Sequence, residues 1–270
     1  MPTLRPVAVA GLFYPGERTA LASEVADYLA EVIDAPASDV GPPKAIIAPH
    51  AGYIYSGPIA ASVYARLAPL RGRVKRVVLL GPAHRVYVAG AAVPSVEAFS
   101  SPLGPVSLDR EAIAALRELP CVEVSDHAHA QEHSLEVHLP FLQSVLGADF
   151  QLVPVVVGDA STDEAAALLD TLWGGDETLL VVSSDLSHYL PYEAACRRDG
   201  ETARAILGLE ARLVPEEACG AIPINGLLRA ARRRGLVPEQ VDLRNSGDTA
   251  GDRDRVVGYG AFAFRPRDDA

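Results

Sequence analysis

Three aliphatic runs of this chain each end in side chains that can bind a metal: Ala45-Ile-Ile-Ala-Pro-His50, Val77-Val-Leu-Leu-Gly-Pro-Ala-His84 and Leu179-Leu-Val-Val-Ser-Ser-Asp185-Leu-Ser-His188. Runs so short and so apolar read as strands buried on both faces, the pattern of a parallel sheet covered by helices. If they are neighbours, His50, His84, Asp185 and His188 gather at one sheet edge. Open α/β sheets hold their ligands in the crevice beyond the carboxyl ends of the strands, so this edge reads as an active-site floor. Two histidines and a carboxylate also form the ligand set that holds non-haem Fe(II) with positions left open.

The remaining pattern alternates helix and strand. Residues 17–33 space Leu21, Val25, Leu29 and Val32 at helical intervals, and 56–67 forms an Ala-rich helix just past His50. Strands are predicted at 74–80, 86–93, 150–157 and 178–183. Helices are predicted at 109–118 (capped by Ser107 or Asp109), 134–146 (interrupted early by Pro140), 162–173, 192–207 and 222–234, with Asn225-Gly226 an awkward start to the last. Two further strand-like pieces, 240–245 and 255–264, are placed to add antiparallel strands. No repeat or linker divides the chain, so residues 1–270 are read as one α/β domain with a mixed sheet.

Composition excludes several function classes. The 270 residues are 49% hydrophobic and 22% charged, ordinary values for a globular protein. A formal charge of -11 argues against nucleic-acid binding. Cys121, Cys196 and Cys219 form no Cys-x-x-Cys pair, which disfavours a zinc ribbon or a disulfide framework and fits a reducing compartment. Met1-Pro-Thr-Leu-Arg-Pro lacks a signal-peptide pattern and no apolar run reaches membrane-span length, so a cytoplasmic protein without a membrane partner is expected. Gly-x-Ser-x-Gly, phosphate-loop and dinucleotide fingerprints are absent.

Within the candidate site, neutral imidazoles at His50 and His84 suit Fe, Zn, Cu or Mn alike. Asp185 reads either as a further ligand or as the cap of a following helix. His188 is suited to proton transfer near neutral pH. In Glu132-His133-Ser-Leu-Glu136-Val-His138, a helical reading puts Glu132 and Glu136 on one face and turns His133 about 100° away. His133 is therefore the candidate to enter the site and assist His188, and His138 is read as structural. His127 and His129 read as decorating an exposed loop.

Taken together, Ala10-Gly-Leu-Phe13-Tyr14-Pro, Ala48-Pro-His-Ala-Gly-Tyr-Ile-Tyr-Ser-Gly57, Gly81-Pro-Ala-His84, Glu132-His-Ser-Leu-Glu-Val-His-Leu-Pro140 and Ser183-Ser-Asp-Leu-Ser-His188 resemble the Memo family. The likeness implies an αβα-layered domain with a largely parallel central sheet, related to the class III extradiol dioxygenases that cleave aromatic rings with non-haem Fe(II). It implies that His50 and His84 bind the metal, that Asp185 and His188 line the same pocket, and that Phe13 and Tyr55 form an aromatic wall, a feature linked to peptide binding in the animal member. That member adds a cysteine ligand from the late loop. Here Ser246-Gly-Asp248-Thr249-Ala-Gly-Asp252 holds none, so Asp248 is the candidate, or Thr249 if the register shifts by one, and a carboxylate there would favour Fe(II) or Mn(II) over Cu(I).

The resulting expectation is a metal-dependent oxidoreductase of dioxygenase type, with Fe(II) as the metal and Cu, Zn or Mn as alternatives. The expected ligand is an unidentified small molecule or peptide. The rival readings are a non-enzymatic protein that captures a peptide or a partner component in the same pocket, and a metal-assisted hydrolase. The resemblance also implies association with a radical-SAM protein and a further small component.

Overall fold

The computed structural model describes residues 3–32 and 41–267. Four parallel strands form the centre of a nine-stranded sheet, in the spatial order Ala45–Ala48, Thr178–Ser183, Arg76–Pro82 and Gln151–Val157. Their Ile, Leu and Val side chains are almost all inaccessible to solvent, as expected of strands covered on both faces. The long strand Val256–Arg265 pairs antiparallel with Ala45–Ala48 and also carries Val237–Asn245 and His188–Leu190. On the opposite flank, Ala91–Val93 runs antiparallel to Gln151–Val157 and parallel to Val122–Val124. Leu4–Arg5, Ala98–Phe99 and Val106–Ser107 make a small separate sheet.

Helices flank the main sheet. Arg18–Val32, Tyr53–Tyr64 and Leu139–Leu146 pack together, as do Thr162–Thr171 and Ala221–Arg233. The mixed α/β class and the antiparallel tail pair match the sequence expectation, and the strand Thr178–Ser183 and the helix Tyr192–Leu207 have the predicted bounds. Residue 33, the last of the first predicted helix, lies outside the described residues. Among the described residues no helix is long and apolar enough to cross a membrane.

Three local expectations are corrected. The strand predicted over 86–93 is confined to Ala91–Val93, because Gly90 takes φ +82° and packs where a Cβ would lie 2.2 Å from the Cys121 carbonyl oxygen. The segment 134–146 is a short 3-10 turn, Glu136–His138, followed by the helix Leu139–Leu146. Pro140 therefore sits in the first helical turn, where a missing N–H breaks no intrahelical bond. His129 is buried, with Nε2 donating to the Ala92 carbonyl at 3.0 Å and its ring edge-on to Phe99. His127 is exposed as expected.

Candidate metal centre

His50 stands two residues past the end of Ala45–Ala48, and His84 two past the end of Arg76–Pro82. The strand between them ends at Ser183, so the two histidines straddle it, with ring centroids 5.1 Å apart. A third imidazole comes from a loop. The His133 ring lies 5.4 Å from that of His50 and stacks at 4.7 Å on that of His84. One ring nitrogen from each of the three lies within 4.8 Å of the others. The geometry thus groups His133, expected as a proton-transfer residue, with the two ligand candidates.

Hydrogen bonds around the triad decide which nitrogens are free. The Ser183 hydroxyl donates to the Ser134 carbonyl oxygen at 2.5 Å, which uses its single proton. At 2.6 Å from the same oxygen, His50 Nδ1 must therefore be the donor, leaving Nε2 with its lone pair. His84 Nδ1 likewise donates to Glu132 Oε1 at 3.0 Å, leaving Nε2 free. A carboxylate on the far nitrogen of a metal-facing imidazole fixes its tautomer and raises its basicity. Glu132 also accepts the backbone N–H groups of His84 (2.6 Å), His133 and Ser134 (both 2.9 Å).

The electrostatics follow from burial and these bonds. Burial holds His50 well below the ordinary imidazole range and brings His133 down to about 4, so both stand neutral, the form that ligates. Burial would raise the Glu132 carboxyl, but the His84 side chain and the Ser134 and His84 amides outweigh it and bring it to about 2. His133 Nδ1 is buried with no hydrogen-bond partner. An orphaned nitrogen within a cluster of neutral, lone-pair-bearing imidazoles fits a divalent transition metal, for which imidazole is a suitable ligand.

The other expected site residues lie around this cluster. Asp185 is buried. Its Oδ1 accepts the His50 N–H at 2.8 Å, its Oδ2 lies 4.0 Å from His50 Nε2, and burial raises its carboxyl to about 6. It caps no helix, because the chain continues into the strand His188–Leu190 and the next helix starts at Tyr192. His188 is exposed at the rim, with Nδ1 donating to the Leu186 carbonyl at 2.9 Å and Nε2 left free. Phe13 stacks obliquely on His133 at 4.9 Å, and Tyr55 is exposed on the helix that follows His50. Asp248 serves its own loop: it accepts from Asn245 N at 3.0 Å and from the Tyr192 hydroxyl at 2.6 Å. Thr249 Oγ1 donates to the Ser246 carbonyl. Neither joins the histidine cluster. His138 is buried against the Tyr64 hydroxyl, in keeping with its structural reading.

Three residues at this site were not among the expected ones. Glu132 is legible as a neighbour of His133, but a helical reading turns the two apart. In the structure residues 132 and 133 are not helical, because the Glu132 carboxylate binds the N–H groups of the next two residues, so both side chains serve the same cluster. Ser183 stands in sequence only as the polar end of an aliphatic run. Cys219, whose Sγ lies 3.4 Å from His50 Nε2, is 169 residues away in sequence and leaves no local signal.

A family model described as Memo-like protein matches residues 5–263. The chain belongs to the Memo family. Memo-family relatives described as "MEMO1 family protein" are 36% identical in Aquifex aeolicus, over 97% of this chain and 99% of the relative, and 36% in Methanococcoides burtonii, over 97% and 100%. A crystal structure of an uncharacterized protein from Escherichia coli K12 gives a TM-score of 0.47 at 16% identity, covering 80% of this chain and 98% of that one. That likeness is too remote to carry an argument about this Memo-family chain.

Proposed function

We propose that the crevice at the carboxyl ends of the central strands is a metal centre in which His50, His84 and His133 hold a divalent ion, and that the protein is an oxidoreductase of dioxygenase type using Fe(II). The convergence of three ring nitrogens within 4.8 Å carries the reading, and the resemblance to ring-cleaving enzymes supports the choice of chemistry. Bound there, Fe(II) would supply Lewis acidity and one-electron chemistry with O2. The chain's own contributions are positional. Ser183 and Glu132 hold two imidazoles in the ligating tautomer, and Phe13 walls the side of His133. His188, free at Nε2 and exposed at the rim, is placed to take a proton from an incoming hydroxylated substrate or return it.

The test is metal content after anaerobic purification, beside a His50→Ala/His84→Ala variant. Near-stoichiometric iron that disappears in the variant, with O2 uptake on a panel of hydroxylated aromatics, is the expected result; equal metal in both proteins would sink the proposal. Turnover without O2 would instead select metal-assisted hydrolysis, for which three histidines are also a known zinc set.

A second reading has an observation of its own. Leu12, Ile54, Tyr87 and Tyr189 are all more than 60% exposed and lie on the segments that carry Phe13, His50, His84 and His188. Such exposed apolar side chains beside a site suit capture of a peptide or partner protein, the radical-SAM protein and small component implied by the resemblance among them. Partner binding that survives loss of both His50 and His84 would favour this reading.

A further inference from the structure

The central strands border a second crevice at their other end. Lys44 stands just before the strand Ala45–Ala48, and Thr178 opens the six-residue strand that ends at Ser183. Six extended residues span roughly 20 Å, so this crevice is separate from the histidine cluster. It is a cleft of about 230 Å³, apolar along Pro43, Leu70, Val74 and Leu179 and cationic at Lys44, Arg73 and Arg265. Among the described residues Asp176 is the one carboxylate that lines it. In a chain of formal charge -11, three cations to one carboxylate is a local reversal of sign.

These cations keep donor capacity in reserve. Arg265 is 7% exposed and pairs through Nη1 with Glu239, while its Nε is buried with no hydrogen-bond partner. Lys44 Nζ donates to the carbonyl oxygens of Gly175 at 2.6 Å and Thr178 at 2.7 Å. An ammonium has a third N–H to give. Burial brings Lys44 down to about 8 against the pull of Glu177 and Asp176, the mark of a charge that its acidic neighbours do not offset. Arg73 is exposed at the same cleft and enters no ion pair among the described residues.

We propose that this cleft binds a small organic monocarboxylate, with Lys44 and Arg73 holding the carboxylate and Leu70, Val74 and Leu179 receiving an apolar body. The guanidinium fork of Arg73 suits a planar acceptor with two oxygens. An apolar lining contributes only if the ligand brings apolar surface to bury, which inorganic phosphate does not. Asp176 adds a repulsion that grows with the ligand's charge, and so favours a monoanion over a dianion. Arg265 contributes positive field rather than contact, because its Nε is out of reach. No bond is made or broken, and the proposal stands independently of the metal-centre reading.

Benzoate and hexanoate are the probes, titrated by calorimetry into the full chain with a chelator present so that neither acid meets a metal ion. At least one is expected to bind one to one with a Kd below about 1 mM. Benzyl alcohol and hexanol, which lack the charge, should bind at least about tenfold more weakly, and so should either acid to an Arg73→Ala chain. Position is read without any variant. Lys44 and Lys75 are the chain's two lysines, so reductive methylation followed by mass spectrometry reports on each. Acid at about ten times its Kd is expected to slow modification of Lys44 by about tenfold and to leave Lys75 unchanged. Binding of neither acid, or binding that leaves Lys44 unprotected, overturns the proposal. Equal affinity for the alcohols overturns the carboxylate assignment, and tighter binding of inorganic phosphate overturns the choice of an organic monoanion.

Discussion

Two of the three imidazoles of the candidate centre are each set by one neighbouring polar group, His50 by Ser183 and His84 by Glu132, and Glu132 is the more heavily used. Glu132→Gln keeps an acceptor for the backbone amides but removes the charge that orients His84, so metal affinity is expected to fall by roughly 10- to 100-fold while the fold persists. Competition titration against a chelator measures this, and unchanged affinity would remove Glu132 from the site. Glu136, four residues on, serves the amino-terminal segment instead, pairing with Arg5 and accepting from Ala8 N, Val9 N and the Tyr14 hydroxyl. Arg5 in turn donates to the His129 and Glu132 carbonyls at 3.0 and 2.6 Å. Arg5→Ala leaves the buried Glu136 charge unpaired and is expected to cost about 3–5 kcal/mol in urea unfolding. The sequence put Glu132 and Glu136 on one helical face. Their actual roles, one for the histidine cluster and one for the amino-terminal segment, depend on partners more than 100 residues away or on a loop that no periodicity describes.

At the scale of elements, the strands were the most legible part of the chain, since an aliphatic run bounded by Gly, Pro or polar residues needs a sheet to cover both faces. Helix starts were less so, and Asn225-Gly226 shows why. Both lie inside the helix Ala221–Arg233. Asn225 spends its amide on the N–H and carbonyl of Leu213, at 2.9 and 2.8 Å. Gly226 lies against the helix Thr162–Thr171 so closely that a Cβ would meet Ala165 Cβ at 2.7 Å. Two poor helix formers are therefore kept by a contact between helices. Gly226→Ala should gain about 1 kcal/mol of helix propensity yet lose more through overpacking, for a net destabilisation of about 1–2 kcal/mol. A thermal or urea midpoint that rises in this variant would refute the close packing of the two helices.

For the molecule as a whole, burying neutral histidines has a cost in acid. Burial brings His129 to about 4 and His138 to about 3, from an ordinary value of 6.5. Between these limits the unfolded chain binds protons that the folded one refuses, so stability is full above about 6.5 and falls as pH drops toward 4 and then 3. His50 and His133 add to the fall, whereas Asp185, raised by burial to about 6, opposes it as it takes up its proton. Metal-free protein is thus expected to melt at a lower temperature at pH 4.5 than at pH 7 by calorimetry; a flat or rising midpoint would show that these histidines are not buried neutral. The sequence by itself determined the α/β class, the central strands and the placing of His50, His84 and Asp185 at their carboxyl ends, because those depend on local hydrophobic patterning and on the rule that parallel strands end together. Only the tertiary structure decided that His133 completes the cluster, that Glu132 and Ser183 set its tautomers, that Asp248 stays at its own loop, and that Cys219 reaches His50. Those outcomes depend on strand order and on hydrogen bonds between segments far apart in the chain, where a residue's identity carries no record of the partner it will meet.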